Sequence, residues 1–304
     1  MINLIPIMYY NENTIIYYKG DFVKAVEACA NVYDQSLHYG YAVFEGIRAY
    51  DTENGVRIFK AKEHFDRMKF SAEAIHLPYN WTTEELIQIS YEILKLNNLK
   101  DAYIRPLVSS SPNMSLTKGK SSNLLVTAWA WGAYLGEQLL NIYTSSYRRI
   151  TPVSFKVEAK VSGHYINSIL ATQEAKDKGF DEALLLDVEG FVAEGPGANV
   201  FIEKDNVLYT PQLGSILPGI TRATVLELCE SLGMEAVETK LTLNDVYNAD
   251  SAFYCGTAAE IIGLASVDKK TFRKDWNNSL GAILQKAYKQ LVLEKEFRPA
   301  EKVA

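Results

Sequence analysis

Lys160 lies in Val157-Glu158-Ala159-Lys160-Val161-Ser162-Gly163-His164-Tyr165, among small and apolar neighbours that favour a crowded, partly buried amine. Desolvation lowers the pKa of such an amine and makes it a nucleophile toward carbonyl groups. Glu194 stands alone in Ala193-Glu194-Gly195-Pro196-Gly197-Ala198-Asn199, where glycines let the backbone pass close to a flat ring. Leu217-Pro218-Gly219-Ile220-Thr221-Arg222 reads as a turn entering a helix. Gly219 frees the backbone, and the Ile220 and Thr221 N–H groups sit where the helix dipole favours an anion. An amine, a carboxylate and a phosphate-sized turn are the contacts pyridoxal phosphate needs. The lysine forms a Schiff base with the aldehyde, the carboxylate keeps the pyridine nitrogen protonated, and the turn holds the phosphate. A second turn, Gly256-Thr257-Ala258, adds amides and a hydroxyl, so the two turns together suit a ligand carrying both a phosphate and a carboxylate.

Taken singly, each feature has an ordinary reading. Lys160 is one of 31 basic residues and could be a solvated surface group, Glu194 a turn carboxylate, and Thr221 a helix cap. Their combination in one chain is what points to the cofactor.

Composition narrows the class. With 304 residues, 48% hydrophobic and 22% charged, the chain can bury a substantial core in one large domain or two middling ones. A net charge of −6, with no basic run, argues against nucleic acid or anionic membrane as a partner. Cys29, Cys229 and Cys255 are odd in number and widely spaced, which argues against a disulfide framework and fits a reducing cytoplasm. His38, His64, His76 and His164 show no metal-ligand spacing, so no metal is expected. The apolar start, Met1 to Tyr10, lacks a basic leader and is interrupted by Pro6; it reads as a strand, and no stretch reaches membrane-spanning length.

The frame that must position these groups begins with short strands at Ile2–Tyr10, Thr14–Tyr18, Tyr41–Tyr50 and Val56–Phe59. A helix over Lys62–Ala74 follows, apolar at Phe65, Met68 and Ala72. Another begins at Thr82, with Glu85 completing a capping box and Leu86, Ile89, Ile93 and Leu96 on one face. Strands Ala102–Ser109 and Asn123–Trp129 come next. Beyond a glycine-punctuated loop, expected elements are a strand Asn141–Tyr147, a helix Tyr165–Lys178 closed by Gly179, and hairpins Ala183–Asp187/Phe191–Ala193 and Asn199–Glu203/Val207–Tyr209. A helix Thr221–Leu232, a strand Ser251–Cys255 and a last helix Ser279–Glu294, apolar at Leu280, Ile283, Ala287 and Leu291, complete the reading. Grouped strands and helices indicate an α+β chain with a domain over residues 1–130, a loop over 131–140 and a larger domain over 141–304.

The order of the motifs resembles the branched-chain amino acid aminotransferases of the fold-type-IV pyridoxal phosphate enzymes, over nearly the whole chain. The resemblance rests on Leu37-His38-Tyr39-Gly40, Val43-Phe44-Glu45-Gly46-Ile47-Arg48, Glu63-His64-Phe65-Asp66-Arg67, Tyr103-Ile104-Arg105-Pro106-Leu107 and Trp131-Gly132-Ala133-Tyr134-Leu135-Gly136, together with the Lys160, Glu194, Leu217 and Gly256 segments. It implies a small α/β sandwich domain and a larger domain with a pseudo-barrel of strands, as in D-amino acid aminotransferase. Lys160 resembles the Schiff-base lysine and proton shuttle, Tyr165 the partner of the cofactor's phenolic oxygen, and Glu194 the pyridinium partner. Arg67, Ile220, Thr221 and Thr257 resemble the phosphate cup. The Thr257 and Ala258 amides with Tyr103 resemble the α-carboxylate site, and Arg105 the contact for glutamate's distal carboxylate. Phe44, Tyr39, Trp131, Tyr134 and Tyr165 would line an apolar pocket. Tyr39, Met114 and Leu116 resemble residues that reach a neighbouring subunit's site, implying a homodimer or a higher oligomer. The serine-rich loop Ser109–Leu116 differs in length from the family pattern, and Pro196 and Ala198 replace its usual residues.

The implied activity is amino transfer from L-leucine, L-isoleucine or L-valine to 2-oxoglutarate. Rival readings are a D-amino acid aminotransferase, an (R)-amine transaminase or a 4-amino-4-deoxychorismate lyase; Phe44–Arg48 and Tyr103–Pro106 favour the branched-chain enzyme. A non-catalytic scaffold is disfavoured because a binding role needs no proton shuttle.

Overall fold

The structure, a computed structural model, describes residues 9–131 and 138–295. Tyr134, most of the 131–140 loop and all but the last two residues of the strand expected at Ile2–Tyr10 fall outside those residues; Tyr9 and Tyr10 themselves are not in a strand. Among the described residues, 9–51 and 56–131 form one compact unit, and 52–55 with 138–295 the other.

The first unit is an antiparallel sheet with helices. Strands β1 (Ile15–Tyr18) and β2 (Asp21–Lys24) form a hairpin whose turn residues Lys19 and Gly20 both have positive φ, the geometry that matches strand twist. Helix α1 (Gln35–Tyr39) ends at left-handed Gly40. Then come β3 (Ala42–Phe44), β4 (Ile47–Thr52), β5 (Gly55–Ile58), α2 (Ala61–Ala74), α3 (Thr83–Leu96), β6 (Ala102–Ser110) and β7 (Ser122–Ala130). The sheet runs β2-β1-β7-β6-β4-β5, with β3 also on β6.

The single strand expected over Tyr41–Tyr50 is two strands in one register, Phe44 opposite Leu107 and Ile47 opposite Ile104. Between them Glu45 faces the Pro106 segment. Pro106 has no N–H to give, so the ladder lapses there while Glu45 N–H still bonds Pro106 O at 3.0 Å. The α3 capping box forms as expected: Thr82 accepts from Glu85 N–H and Glu85 accepts from Thr82 N–H. Its buried face is Leu86, Ser90, Ile93 and Leu94, however, and Leu96 is exposed.

The second unit holds β8 (Leu140–Arg148), α4 (Tyr165–Asp177), β9 (Glu182–Leu186), β10 (Val192–Glu194), β11 (Asn199–Lys204), β12 (Val207–Pro211), α5 (Ile220–Leu232), β13 (Ala236–Thr239), α6 (Leu243–Tyr247), β14 (Ser251–Gly256), β15 (Glu260–Val267), β16 (Lys270–Thr271) and α7 (Leu280–Val292). Its strands run β10-β9-β8-β15-β14-β11-β12-β13, with β16 on β15. Strand β8 is parallel to both neighbours, β9 and β15. Strands β13, β15 and β16 and helix α6 went unread in the sequence. The apolar face of α7 is Ala282, Leu284, Ala287, Tyr288 and Val292, so Ile283 and Leu291, expected inside, are exposed. A core of buried residues, including Ile142, Leu184, Val200, Ile202, Val246 and Leu264, packs within this unit, and a second cluster, Ala171, Ala175, Ala183 and Leu185, joins α4 to β9.

Candidate active site

In the second unit, the loop before α4 is pinned by buried Val157, Ala159 and Val161, which leave the half-buried Lys160 side chain between them. A 3-10 turn, Ser162–His164, leads straight into α4, so Tyr165 folds back over the lysine. Lys160 Nζ donates to Tyr165 Oη at 2.7 Å. The expected nucleophile and the expected phenol partner are thus neighbours five residues apart.

Glu194 ends β10 and is buried. Three residues hold its carboxylate: Arg149 Nε donates to Oε1 at 2.6 Å, Asn199 Nδ2 to Oε2 at 3.0 Å, and the Leu217 N–H to both oxygens at 3.2 Å. Burial pushes the Glu194 carboxyl up, against the Arg149 charge and hydrogen bond, the Leu217 amide and the Lys160 charge. The same Leu217 segment turns at Gly219, where a Cβ would lie 2.0 Å from Asn199 Oδ1; no larger residue fits without displacing the asparagine that braces Glu194. Gly219 is the N-cap of α5 and offers no side-chain cap, so Thr221 is not the cap that the sequence allowed, and the helix starts one residue earlier than expected, at Ile220. A helix N-terminus without a side-chain acceptor is suited to a phosphate. The turn after β14 carries Thr257 and Ala258, and a Cβ on Gly256 would come within 3.1 Å of Gly197 O, which sets that turn against the loop following Glu194. A cavity of about 270 Å³ opens beside them, lined by Tyr165, Gly195, Gly197, Ala198, Tyr254 and Ala258. Amine, carboxylate, uncapped helix start and amide turn occupy one unit, and the donor set fits pyridoxal phosphate.

The first unit gathers the other expected residues. Arg105 on β6 donates from Nη2 to Tyr103 Oη at 3.0 Å, and its guanidinium lies 4.8 Å from the Phe44 ring centroid. Trp131 and Trp129 each lie with ring centroids 5.2 Å from Tyr103. A Cβ at Gly46 would fall 1.8 Å from Tyr103 Oη, so only glycine lets that hydroxyl sit where it does. Among the described residues no carboxylate pairs with Arg105. Tyr39 Oη donates to Met114 O at 3.3 Å, and Tyr39, Met114 and Leu116 are exposed, Leu116 to 86%.

Arg67, by contrast, is engaged by Glu45, with Nε to Oε1 at 2.7 Å and Nη2 to Oε2 at 2.8 Å, while His64 Nδ1 lies 2.8 Å from Oε2. Burial would raise the Glu45 carboxyl, yet Arg67 and His64 hold it well below the usual carboxylate range. Such a bidentate clamp fixes the plane of the guanidinium. Glu45, His64, Trp129, Arg149 and Asn199 were given no role in the sequence reading. His64 and Arg67 share a helix face three residues apart, a local signal. Arg149 had none, since the carboxylate it meets lies 45 positions away.

His164, beside Tyr165, is buried, and burial together with the Arg149 charge pulls its imidazole down to about 4. The folded value lies below the unfolded one of about 6.5. The neutral ring therefore contributes full stability above about pH 6.5, lost as pH falls toward about 4, a span worth roughly 2 kcal/mol after screening. Urea midpoints measured from pH 7.5 to 4.5 should fall less steeply in His164→Gln than in the parent. Parallel curves would mean that another group sets the acid limb.

Known proteins resemble this chain over most of its length. The family profile described as amino-transferase class IV matches residues 42–267. A branched-chain-amino-acid aminotransferase of Pseudomonas aeruginosa is 42% identical over 293 residues, covering 94% of this chain and 95% of that one. The crystal structure of the branched-chain aminotransferase of Thermoproteus uzoniensis with norvaline superposes with a TM-score of 0.90 at 37% identity, over 93% of this chain and 96% of that one. The branched-chain amino acid aminotransferase of Thermobaculum terrenum, in its pyridoxal-phosphate holo-form, gives 0.88 at 32% identity, over 95% and 97%.

Proposed function

This chain belongs to the class IV aminotransferases, within the branched-chain-amino-acid aminotransferases that use pyridoxal phosphate, and on that premise we propose that it moves the amino group of L-leucine, L-isoleucine or L-valine to 2-oxoglutarate, giving the 2-oxo acid and L-glutamate. The observation that carries the reading is the Lys160 Nζ–Tyr165 Oη bond of 2.7 Å, which holds an amine at a phenol.

Bound pyridoxal phosphate supplies an aldehyde for the amino group and a ring that draws electrons from the substrate's α-carbon. Lys160 would hold the cofactor through its amine and then carry the proton released from the substrate's α-carbon. Its bond to Tyr165 aims the nitrogen, and a base within reach of its proton contributes about 10²–10⁴-fold. Glu194 pairs with the ring nitrogen, and its three donors keep it oriented. Ile220 and Thr221, at the start of α5, with Thr257 of the same unit, take the phosphate. The Thr257 and Ala258 amides take the substrate α-carboxylate. Phe44, Tyr39 and Trp131 of the first unit offer apolar surface for the branched side chain.

One pocket must accept both an apolar and an acidic side chain. Arg105, stacked on Phe44 and held by Tyr103, presents a cation backed by aromatic rings, which supports both uses. Arg105→Ala is expected to raise KM for glutamate by about 10- to 100-fold, the worth of a charge-assisted bidentate contact, and KM for leucine far less. Equal rises would move the distal carboxylate elsewhere. The exposed Tyr39–Met114–Leu116 patch supports a homodimer in which these residues complete the neighbouring site. Three free cysteines support a cytoplasmic setting; no helix among the described residues is long and apolar enough to cross a membrane.

The test of the function is an absorbance titration of the holoenzyme. A visible band that bleaches with L-leucine and returns with 2-oxoglutarate is the expected result. A band that answers D-alanine and not leucine would move the activity to another member of the fold type.

A further inference from the structure

Arg149 follows β8 by one residue and is bound by its N–H to Leu186 O at 2.8 Å. Its side chain is buried, 9% exposed, and points its Nε at Glu194 Oε1, 2.6 Å away. Strand order explains the meeting. In the sequence β10-β9-β8, Arg148 pairs with Leu186 and Glu194 with Leu185, so the chain just past β8 ends one strand away from the carboxylate. Two cations act on Glu194, Arg149 and Lys160; the nearby His164 is held neutral. These two differ in chemistry. Lys160 changes its charge whenever it engages the cofactor or carries a proton, whereas a guanidinium stays charged throughout.

Resting on the proposed role of Glu194 at the cofactor ring nitrogen, we propose that Arg149 is the positioning residue for that contact: it is the constant cation that keeps the Glu194 carboxylate charged and turned toward the ring while Lys160 cycles. Glu194 Oε1 takes the Arg149 bond and Oε2 the Asn199 bond, so the carboxylate plane is set by two side chains before any ligand arrives. Without Arg149, a carboxyl 5% exposed in this setting takes up a proton and ceases to be a partner for a protonated nitrogen. Arg149 reaches no ring atom itself in this scheme; it acts through Glu194.

The test uses apoprotein and two probes, pyridoxal phosphate and its 1-deaza analogue, in which a C–H replaces the ring nitrogen but the phosphate and aldehyde remain. Dissociation constants are measured by fluorescence quenching for the parent, Arg149→Gln, Arg149→Lys and Glu194→Gln. Arg149→Gln is expected to weaken pyridoxal phosphate by about tenfold or more, the worth of a charge-assisted contact, and to leave the deaza analogue nearly unchanged, so its preference between the probes collapses to that of Glu194→Gln. Arg149→Lys, which keeps the charge and loses the directed Nε–H, should fall between on the first probe and stay level on the second. Equal weakening of both probes in either variant, or none, overturns the proposal, because a merely structural arginine would not distinguish N–H from C–H. If Glu194→Gln itself leaves the preference intact, the role of Glu194 fails and this inference with it. If Glu194→Gln abolishes the preference and Arg149→Gln does not, only the inference falls.

Discussion

Lys160→Ala is expected to lower leucine transamination by about 10⁴-fold or more while leaving the fold intact, since the variant removes both the covalent anchor and the proton carrier. The loop is held by Val157, Ala159 and Val161, all buried, and not by the half-exposed lysine stem, so the cost in stability should be below about 1 kcal/mol. Three readouts separate the outcomes. The visible band of the holoenzyme should be lost, thermal unfolding of the apoprotein should be nearly unchanged, and added small primary amines should restore part of the proton transfer. Activity within tenfold of the parent would assign the proton transfer to another group. Loss of activity together with loss of the fold would mean that the Lys160–Tyr165 bond is structural.

Glu194→Gln should be the second most damaging change and should act differently. The cofactor is expected to remain bound through its phosphate and Lys160, with removal of the α-proton slowed by about 10²- to 10³-fold, the range for loss of a preorganised electrostatic partner. The structure adds a cost. Both carboxylate oxygens accept from protein donors, Oε1 from Arg149 and Oε2 from Asn199, and Leu217 N–H addresses both. An amide NH₂ must face one of those donors whichever way it is flipped, and it leaves the buried Arg149 without its counter-charge, which destabilises by about 3 kcal/mol. The primary isotope effect with α-deuterated leucine should rise toward its intrinsic limit as proton removal becomes the slow step. An isotope effect and rate equal to the parent's would remove Glu194 from the ring-nitrogen role, whatever happened to stability.

Local signals carried well from sequence to structure. The Thr82–Glu85 capping box and the hairpin turned at Asp205 and Asn206 depend on neighbours a few residues away, and both form where their residues stand. Periodicity carried less well, because which face of a helix is buried depends on what lies beneath it. Leu96, Ile283 and Leu291 fit an apolar stripe and are exposed, while small residues such as Ser90, Gly281 and Ala282 take the close contacts. Strand β15 went unread although it lies between β8 and β14, since Ile261-Ile262-Gly263-Leu264 lacks alternation and a strand buried on both faces has no period of two to announce it.

By itself the sequence marked the proposed reacting groups and their order along the chain: an amine in a crowded loop, a phenol five residues later, a carboxylate followed by a glycine-proline-glycine stretch and a glycine turn entering a helix. Those features are short, so residue type and spacing specify them. The tertiary structure alone decided how they are held. Arg149 meets Glu194 across 45 positions of chain, and Arg67 meets Glu45 across 22. Such pairs follow from strand order and register, which place distant side chains a hydrogen bond apart. Burying a charge is tolerable only where that placement supplies its partner.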